Sequence, residues 1–366
     1  MAGPFRGPGA RRKFVASGEH PLPTAPQTSS TDEHTVRYPH RPVPPPIAAD
    51  GWSEGLERKV RLMTHLSANL RVGVVGAGRV GAVVAAALGA AGHHVVAAAG
   101  ESDASRARIA DLLPGTRTAK PTDVARSCDL LLLTVPDDML GNVVTVLSDS
   151  GAIRPGQYVV HTSGRHGLAV LEPAARAGAH PVAMHPAMTF TGTALDLDRL
   201  PGCVYGLTAE PSERVFTEGL VADLRGRPTW VPEEMRTLYH GGLAHGANHL
   251  VTLVSQAMEL LAAAGCDHPA GTLRPLLTAA LDNALEQGDS ALTGPIVRGD
   301  VNTVRAHLAD IATNAPHTLP SYVALARDTL DRVVTDGRVL PIRAAAIKRA
   351  LEQAEQAAPR TTAPRR

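Results

Sequence analysis

At 366 residues the chain has room for two domains of ordinary size, each with its own core. Lys+Arg (36) and Asp+Glu (35) nearly cancel and aromatic residues make up only 3%, so both the field that would hold a polyanion or an acidic membrane surface and the rings for base stacking are missing. No apolar run reaches about 18 residues, the start lacks the apolar core of a signal peptide, and the cysteines (Cys128, Cys203, Cys266) lie far apart among apolar neighbours, which suits reduced thiols. These features predict a cytoplasmic protein without nucleic-acid or membrane partners.

Residues 1–66 are rich in Pro, Arg, Ser, Thr and His and carry no sustained apolar period, which predicts a disordered tail; 357–366 reads as a second, short one. From Arg71 to about Val231, short apolar runs alternate with helical stretches: 72–75, 95–99, 130–135, 158–161, 182–184 and 203–207. Continuous apolar runs separated by helices predict an α/β domain, 67–232, with a doubly wound, mostly parallel sheet buried on both faces.

The first run ends in Gly76-Ala77-Gly78-Arg79-Val80-Gly81, directly before a helical stretch. In that context a Gly-x-Gly-x-x-Gly turn is a dinucleotide fingerprint. Gly76 takes the tight turn, Gly78 lets backbone N–H groups approach a pyrophosphate, and Gly81 lets helix and strand pack closely, while the helix N-terminus offers positive charge to the phosphates. After the second run, Glu101 stands where an acid would hold a ribose 2′-hydroxyl and favour NAD. Ser102, Ser105, Arg106 and Arg108 are suited to a 2′-phosphate, so NADP is the expected cofactor and NAD the alternative. Val135 and Pro136 close the next run and should line the nicotinamide side.

His161-Thr162-Ser163-Gly164 and His185-Pro186 each follow an apolar run, which puts two histidine-bearing loops on the same rim as the glycine turn. After Pro232 helical periods take over, at about 233–264, 270–287, 301–312, 319–336 and 342–356, and predict an all-helical domain, 233–356. The first of these carries Tyr239, His240, His245, Asn248 and His249; His245 and His249 share a face at i, i+4, but no third ligand has fitting spacing, so no metal site is expected. Leu292 to Asp300 form a turn-rich loop with Thr293 and Arg298, and Asp300 can cap the helix that follows.

Taken together, the glycine turn, the His161–Gly164 and His185-Pro186 loops, Tyr239-His240 with Asn248, and Leu292-Thr293-Gly294-Pro295 with Arg298-Gly299-Asp300 resemble the bacterial Rossmann-like and DUF2520 domain proteins, over about residues 70–335. That family is similar to enzymes of the 6-phosphogluconate dehydrogenase type, among them pyrroline-carboxylate and ketopantoate reductases and prephenate dehydrogenases. The resemblance implies a Rossmann domain followed by a helical substrate and dimerisation domain, a homodimer, and NAD(P)H-dependent reduction of a small 2-keto or imino acid, with ketopantoate the best single substrate. One departure stands out: ketopantoate and β-hydroxyacid enzymes carry a helix Lys four residues before an Asn, and none of this chain's lysines lies in that helix. The expected roles are therefore His240 or His245 as proton donor, Asn248 and Ser163 as partners of the substrate oxygen, and His185 with Thr293 or Arg298 as carboxylate contacts. The alternatives are a prephenate-type dehydrogenase and a dinucleotide-sensing regulatory protein without turnover.

Overall fold

The computed structural model describes residues 70–357, which lie within one unit of the chain, 54–366. The expected tails fall outside the described residues, except for Ala357, which closes the last helix. The first half holds an eight-stranded sheet: β1 (Arg71–Val75), β2 (His94–Ala99), β3 (Arg117–Thr118), β4 (Leu130–Leu133), β5 (Tyr158–His161), β6 (His180–Pro186), β7 (Val204–Ala209) and β8 (Arg227–Trp230). Their order is β3-β2-β1-β4-β5-β6-β7-β8, and every pairing is parallel except β6 with β7.

Apolar side chains alternate between two layers because successive strand residues face opposite sides. Val72, Val74, Leu130 and Leu132 pack on one face against helices α1 (Arg79–Ala90), α2 (Asp103–Leu112) and, further along, α7 (Arg214–Asp223). Val75, Leu131 and Leu133 pack on the other against α3 (Pro121–Ser127), α4 (Asp137–Asp149) and α5 (Glu172–Arg176). Short α6 (Leu195–Arg199) lies between β6 and β7. With both faces covered, the sheet is the expected doubly wound kind. The apolar runs found from sequence mark its six interior strands, though the third run stops at Leu133 rather than Val135. β3 and β8 were not expected: they are the two edges, polar and mostly exposed, so no buried run marks them.

The second half is helical: α8 (Arg236–Ala263), α9 (Pro269–Gln287), α10 (Val301–Asn314), α11 (Leu319–Thr335) and α12 (Pro341–Ala357). A core of Val304, Leu308, Leu319, Val323, Leu330, Val333, Ile347 and Leu351 binds α10, α11 and α12 together. The long helices α8 and α9 contribute little to it: Arg236 is the one buried residue of α8 and Leu273 that of α9. No described helix is long and apolar enough to cross a membrane.

Candidate active site

Parallel strands β1, β4, β5 and β6 end on one rim, and the loops leaving them build the site. At the first, Gly76 has φ +93°, which only glycine adopts without strain, and its N–H and that of Ala77 bond the Ala99 carbonyl at 3.0 and 2.9 Å. A Cβ at Gly81 would lie 2.1 Å from Thr134 Oγ1 and 2.7 Å from the Gly76 carbonyl oxygen, so α1 can approach β4 only through a glycine. At Gly78, by contrast, the nearest atom to such a Cβ is 3.8 Å away. Gly78 caps α1 with no side-chain bond, and the first turn of α1 holds no acidic residue. The helix therefore presents unscreened N–H groups beside an open backbone, the form a pyrophosphate requires.

Beyond β2, Ser102 caps α2 by accepting from Ser105 N at 3.1 Å. Arg106 is paired with Asp103 and donates to the Glu101 carbonyl, which turns it back onto its own helix. Arg108 instead meets Arg79: a Cβ at Gly192 would find Arg108 Nε at 2.6 Å and Arg79 Cγ at 2.9 Å, so guanidinium-bearing side chains from α1 and α2 converge over the loop after β6. Val135 is half-buried and Pro136, which caps α4, is exposed in the loop after β4.

His161 is fully buried; its Nε2 lies 2.8 Å from the Gly167 carbonyl and its Nδ1 accepts from Ser163 N at 3.1 Å. Burial pushes its pKa down to about 4, so the ring is neutral and shapes the loop. Ser163 is buried, and its hydroxyl accepts from His166 N at 3.2 Å, which leaves the hydroxyl proton free to be donated. His185, at the end of β6, places Nδ1 3.1 Å from the Tyr239 hydroxyl, and its ring meets those of Tyr239 and His240 edge-on at 5.7 and 5.8 Å. Burial, then His240 and Arg236, lowers its pKa to about 4, so His185 too is neutral at ordinary pH.

Two glycines make this meeting of rings possible. A Cβ at Gly164 would lie 2.5 Å from His240 Cδ2 and 3.1 Å from His185 Nε2, and one at Gly206 would lie 2.5 Å from the Tyr239 hydroxyl. The start of α8 is pinned there by Arg236, whose Nη2 donates to the Ser163 carbonyl at 2.8 Å and whose Nη1 donates to Thr208 Oγ1 at 3.0 Å.

The structure thus brings Ser163, His185 and His240 together, and adds Tyr239, Arg236, Gly164 and Gly206, to which sequence reasoning gave no role. It does not bring the others there. His245 and Asn248 are exposed further along α8, where His245 Nδ1 faces His249 Nδ1 at 2.9 Å. Thr293 lines a separate cavity of about 450 Å³ with Leu253, Gln256, His307 and Tyr322. Leu253 and Gln256 are roughly 20–24 Å from His240 at 1.5 Å per helical residue. Arg298 lines another cavity with Arg338 and Arg343. Among the described residues, no group of three or more His, Cys, Asp or Glu is arranged to hold a metal ion.

Two family models match the chain. Residues 61–186 match the Rossmann-like domain family, and 203–329 match DUF2520, a domain of unknown function. That second match begins at β7, ahead of the helices. No curated protein matches the chain. Among solved structures, one of a Bacteroides fragilis protein named as an NADP oxidoreductase is 20% identical, with a TM-score of 0.62, covering 71% of this chain and 98% of its own. A Thermotoga maritima protein is 18% identical, with a TM-score of 0.54 and coverage of 72% and 99%. An imine reductase from Pseudomonas sp. is 16% identical, with a TM-score of 0.50 and coverage of 79% and 94%. At these identities the shared property is the fold.

Proposed function

For this chain, a Rossmann-like and DUF2520 domain-containing protein, we propose an NADP-dependent reductase of a small 2-keto or imino acid. The observation that carries the reading is the shared rim: an open, unscreened helix N-terminus at Gly78 after β1 and, at the end of β6 in the same parallel run of strands, a neutral His185 bonded to Tyr239 of α8. The names of the Bacteroides and Pseudomonas relatives, an NADP oxidoreductase and an imine reductase, agree with it.

The dinucleotide supplies the hydride. The backbone from Gly76 to Gly81, with Ala77, Arg79 and Val80, holds its pyrophosphate. Arg79 and Arg108, with Ser102 capping the helix that carries Arg108, attract the 2′-phosphate that distinguishes NADP; Arg106, already paired with Asp103, does not. Val135 and Pro136 flank the nicotinamide. With the Tyr239 hydroxyl donating to His185 Nδ1, the imidazole proton is on Nε2, which lies against Gly164 beside the His240 ring. The Nε2 proton passes to the substrate oxygen or nitrogen while the phenol replaces it through Nδ1. His240 stands beside this pair and the Ser163 hydroxyl offers a second hydrogen bond. The pair takes over the task of the Lys that related enzymes carry. The missing Lys also favours a second reading, a dinucleotide sensor without turnover.

The deciding experiment follows NADPH oxidation with ketopantoate, other 2-keto acids and cyclic imines, of which ketopantoate is the first candidate. Turnover is expected, and Tyr239→Phe and His185→Ala each lower kcat by about 100-fold with NADPH affinity unchanged. Micromolar NADPH binding without turnover of any of these would establish the sensor instead.

A further inference from the structure

The Leu292–Asp300 loop, to which the crevice gives no task, ends beside a separate cavity of about 480 Å³. Its walls include Val297, Arg298 and Asp300 from that loop and Arg338, Leu340 and Arg343 from the entry to α12. Gly299 holds the two walls together: its φ is +66°, and a Cβ there would lie 3.0 Å from Arg343 Cβ. A side chain at that position would push the loop off the helix.

The charges around this cavity do not pair off. Arg338 is committed, its Nη2 donating to the Asp336 carboxylate at 2.8 Å and to the Asp289 carbonyl at 2.9 Å, while its Nε is buried without an acceptor. Asp300 is committed as well, accepting from Thr303 N at 3.1 Å and Thr303 Oγ1 at 2.7 Å. Those bonds hold its carboxyl below the usual range, and the fields of Arg298 and Arg343 add to them. Neither guanidinium of Arg298 and Arg343 makes a hydrogen bond or ion pair among the described residues, and both side chains are exposed. Three guanidiniums thus stand against the carboxylates of Asp300 and Asp336, which leaves a positive charge over with both fields counted. The first turn of α12 holds no acidic residue, so its N-terminal N–H groups add to the same sign.

We propose that this cavity is a second ligand site, separate from the crevice, and that it takes a small phosphomonoester. The phosphate lies between Arg298 and Arg343, and the organic part rests on Val297, Val339 and Leu340. Each unbonded guanidinium offers a fork of N–H donors. A carboxylate is filled by one fork, whereas the three oxygens of a phosphate receive both, and its second charge balances the second arginine.

The test titrates phenyl phosphate, benzoate and phenol calorimetrically into the full chain with NADP present in excess. Phenyl phosphate should bind with a dissociation constant below about 1 mM and at least about tenfold more tightly than benzoate, with no binding of phenol. Arg298→Gln combined with Arg343→Gln should weaken phenyl phosphate by at least about tenfold at an unchanged melting temperature. A variant-free readout maps the same site: phenyl phosphate should protect Arg298 and Arg343 from phenylglyoxal, as read by peptide mass, and leave the exposed Arg349 reactive. Equal affinity for phosphate and carboxylate, binding that survives the double substitution, or protection confined to Arg79 and Arg108 would each overturn the proposal. None of these outcomes bears on the reductase reading, which is scored by NADPH oxidation.

Discussion

The two inner glycines of the nucleotide turn face different constraints, and single methyl groups separate them. At Gly81 a methyl would run into Thr134 Oγ1 and the Gly76 carbonyl, so Gly81→Ala must shift α1 from β4, an overpacking cost of about 1–3 kcal/mol. At Gly78 the space is open, so Gly78→Ala should fold with an unchanged melting temperature yet lose at least about tenfold in NADPH affinity by covering the N–H groups the pyrophosphate needs. Thermal melts paired with calorimetry check both; equal effects on stability and binding at the two positions would mean that the turn serves packing alone. His161 gives a second prediction, in pH. Its pKa of about 4 lies below the ordinary 6.5, so the unfolded chain binds the extra proton first. Its contribution is complete above pH 6.5 and is lost as pH falls toward 4, on the order of 2–3 kcal/mol. Denaturant titrations at pH 7.5 and 4.5 should show a steeper loss in the wild type than in His161→Gln, and parallel losses would disprove it. At this scale the glycines, Ser163 and His185 were legible because each follows an apolar run. Arg236 was not, since an arginine opening a helix looks solvated until the strands beneath it are known. Gly164 and Gly206 were equally silent, as their meaning is the ring that packs over each.

Elements were legible in proportion to how much apolar surface they bury. Interior strands such as Leu130–Leu133 announce themselves by composition, but Arg117–Thr118 and Arg227–Trp230 close the edges with polar, exposed residues and leave no pattern. The reversal of β7 against β6 was likewise hidden, because an apolar run carries no direction. Helix ends were readable where a side chain caps them. Asp300 does so for α10, accepting from Thr303 N at 3.1 Å and from Thr303 Oγ1 at 2.7 Å. Asp300→Ala should therefore cost about 1 kcal/mol in denaturant unfolding, with no change in NADPH affinity, because the cap serves the helical core and not the crevice. A tenfold fall in that affinity would place the Leu292–Asp300 loop at the nucleotide site.

Over the whole molecule, α8 and α9 present the largest unmet demand. Among the described residues, a helix of 28 residues with one buried position packs on its own chain mainly at Arg236 and Leu260, whereas isolated helices gain most of their stability from packing an apolar face. Leu238, Leu250, Val251 and Leu253 on α8 and Leu276, Leu281 and Leu285 on α9 are exposed, and an apolar surface of that extent is characteristic of an interface. A second copy of the chain is the partner always present at equal concentration, and a two-fold arrangement lets the same leucines meet themselves. The expected outcome is a dimer in sedimentation equilibrium. Val251→Arg together with Leu285→Arg should shift the protein to monomer and lower the melting temperature of the helical half, while the crevice residues on the sheet rim keep their geometry and NADPH still binds. A wild-type protein that sediments as a monomer at micromolar concentration would mean that α8 and α9 are covered by something other than a second copy.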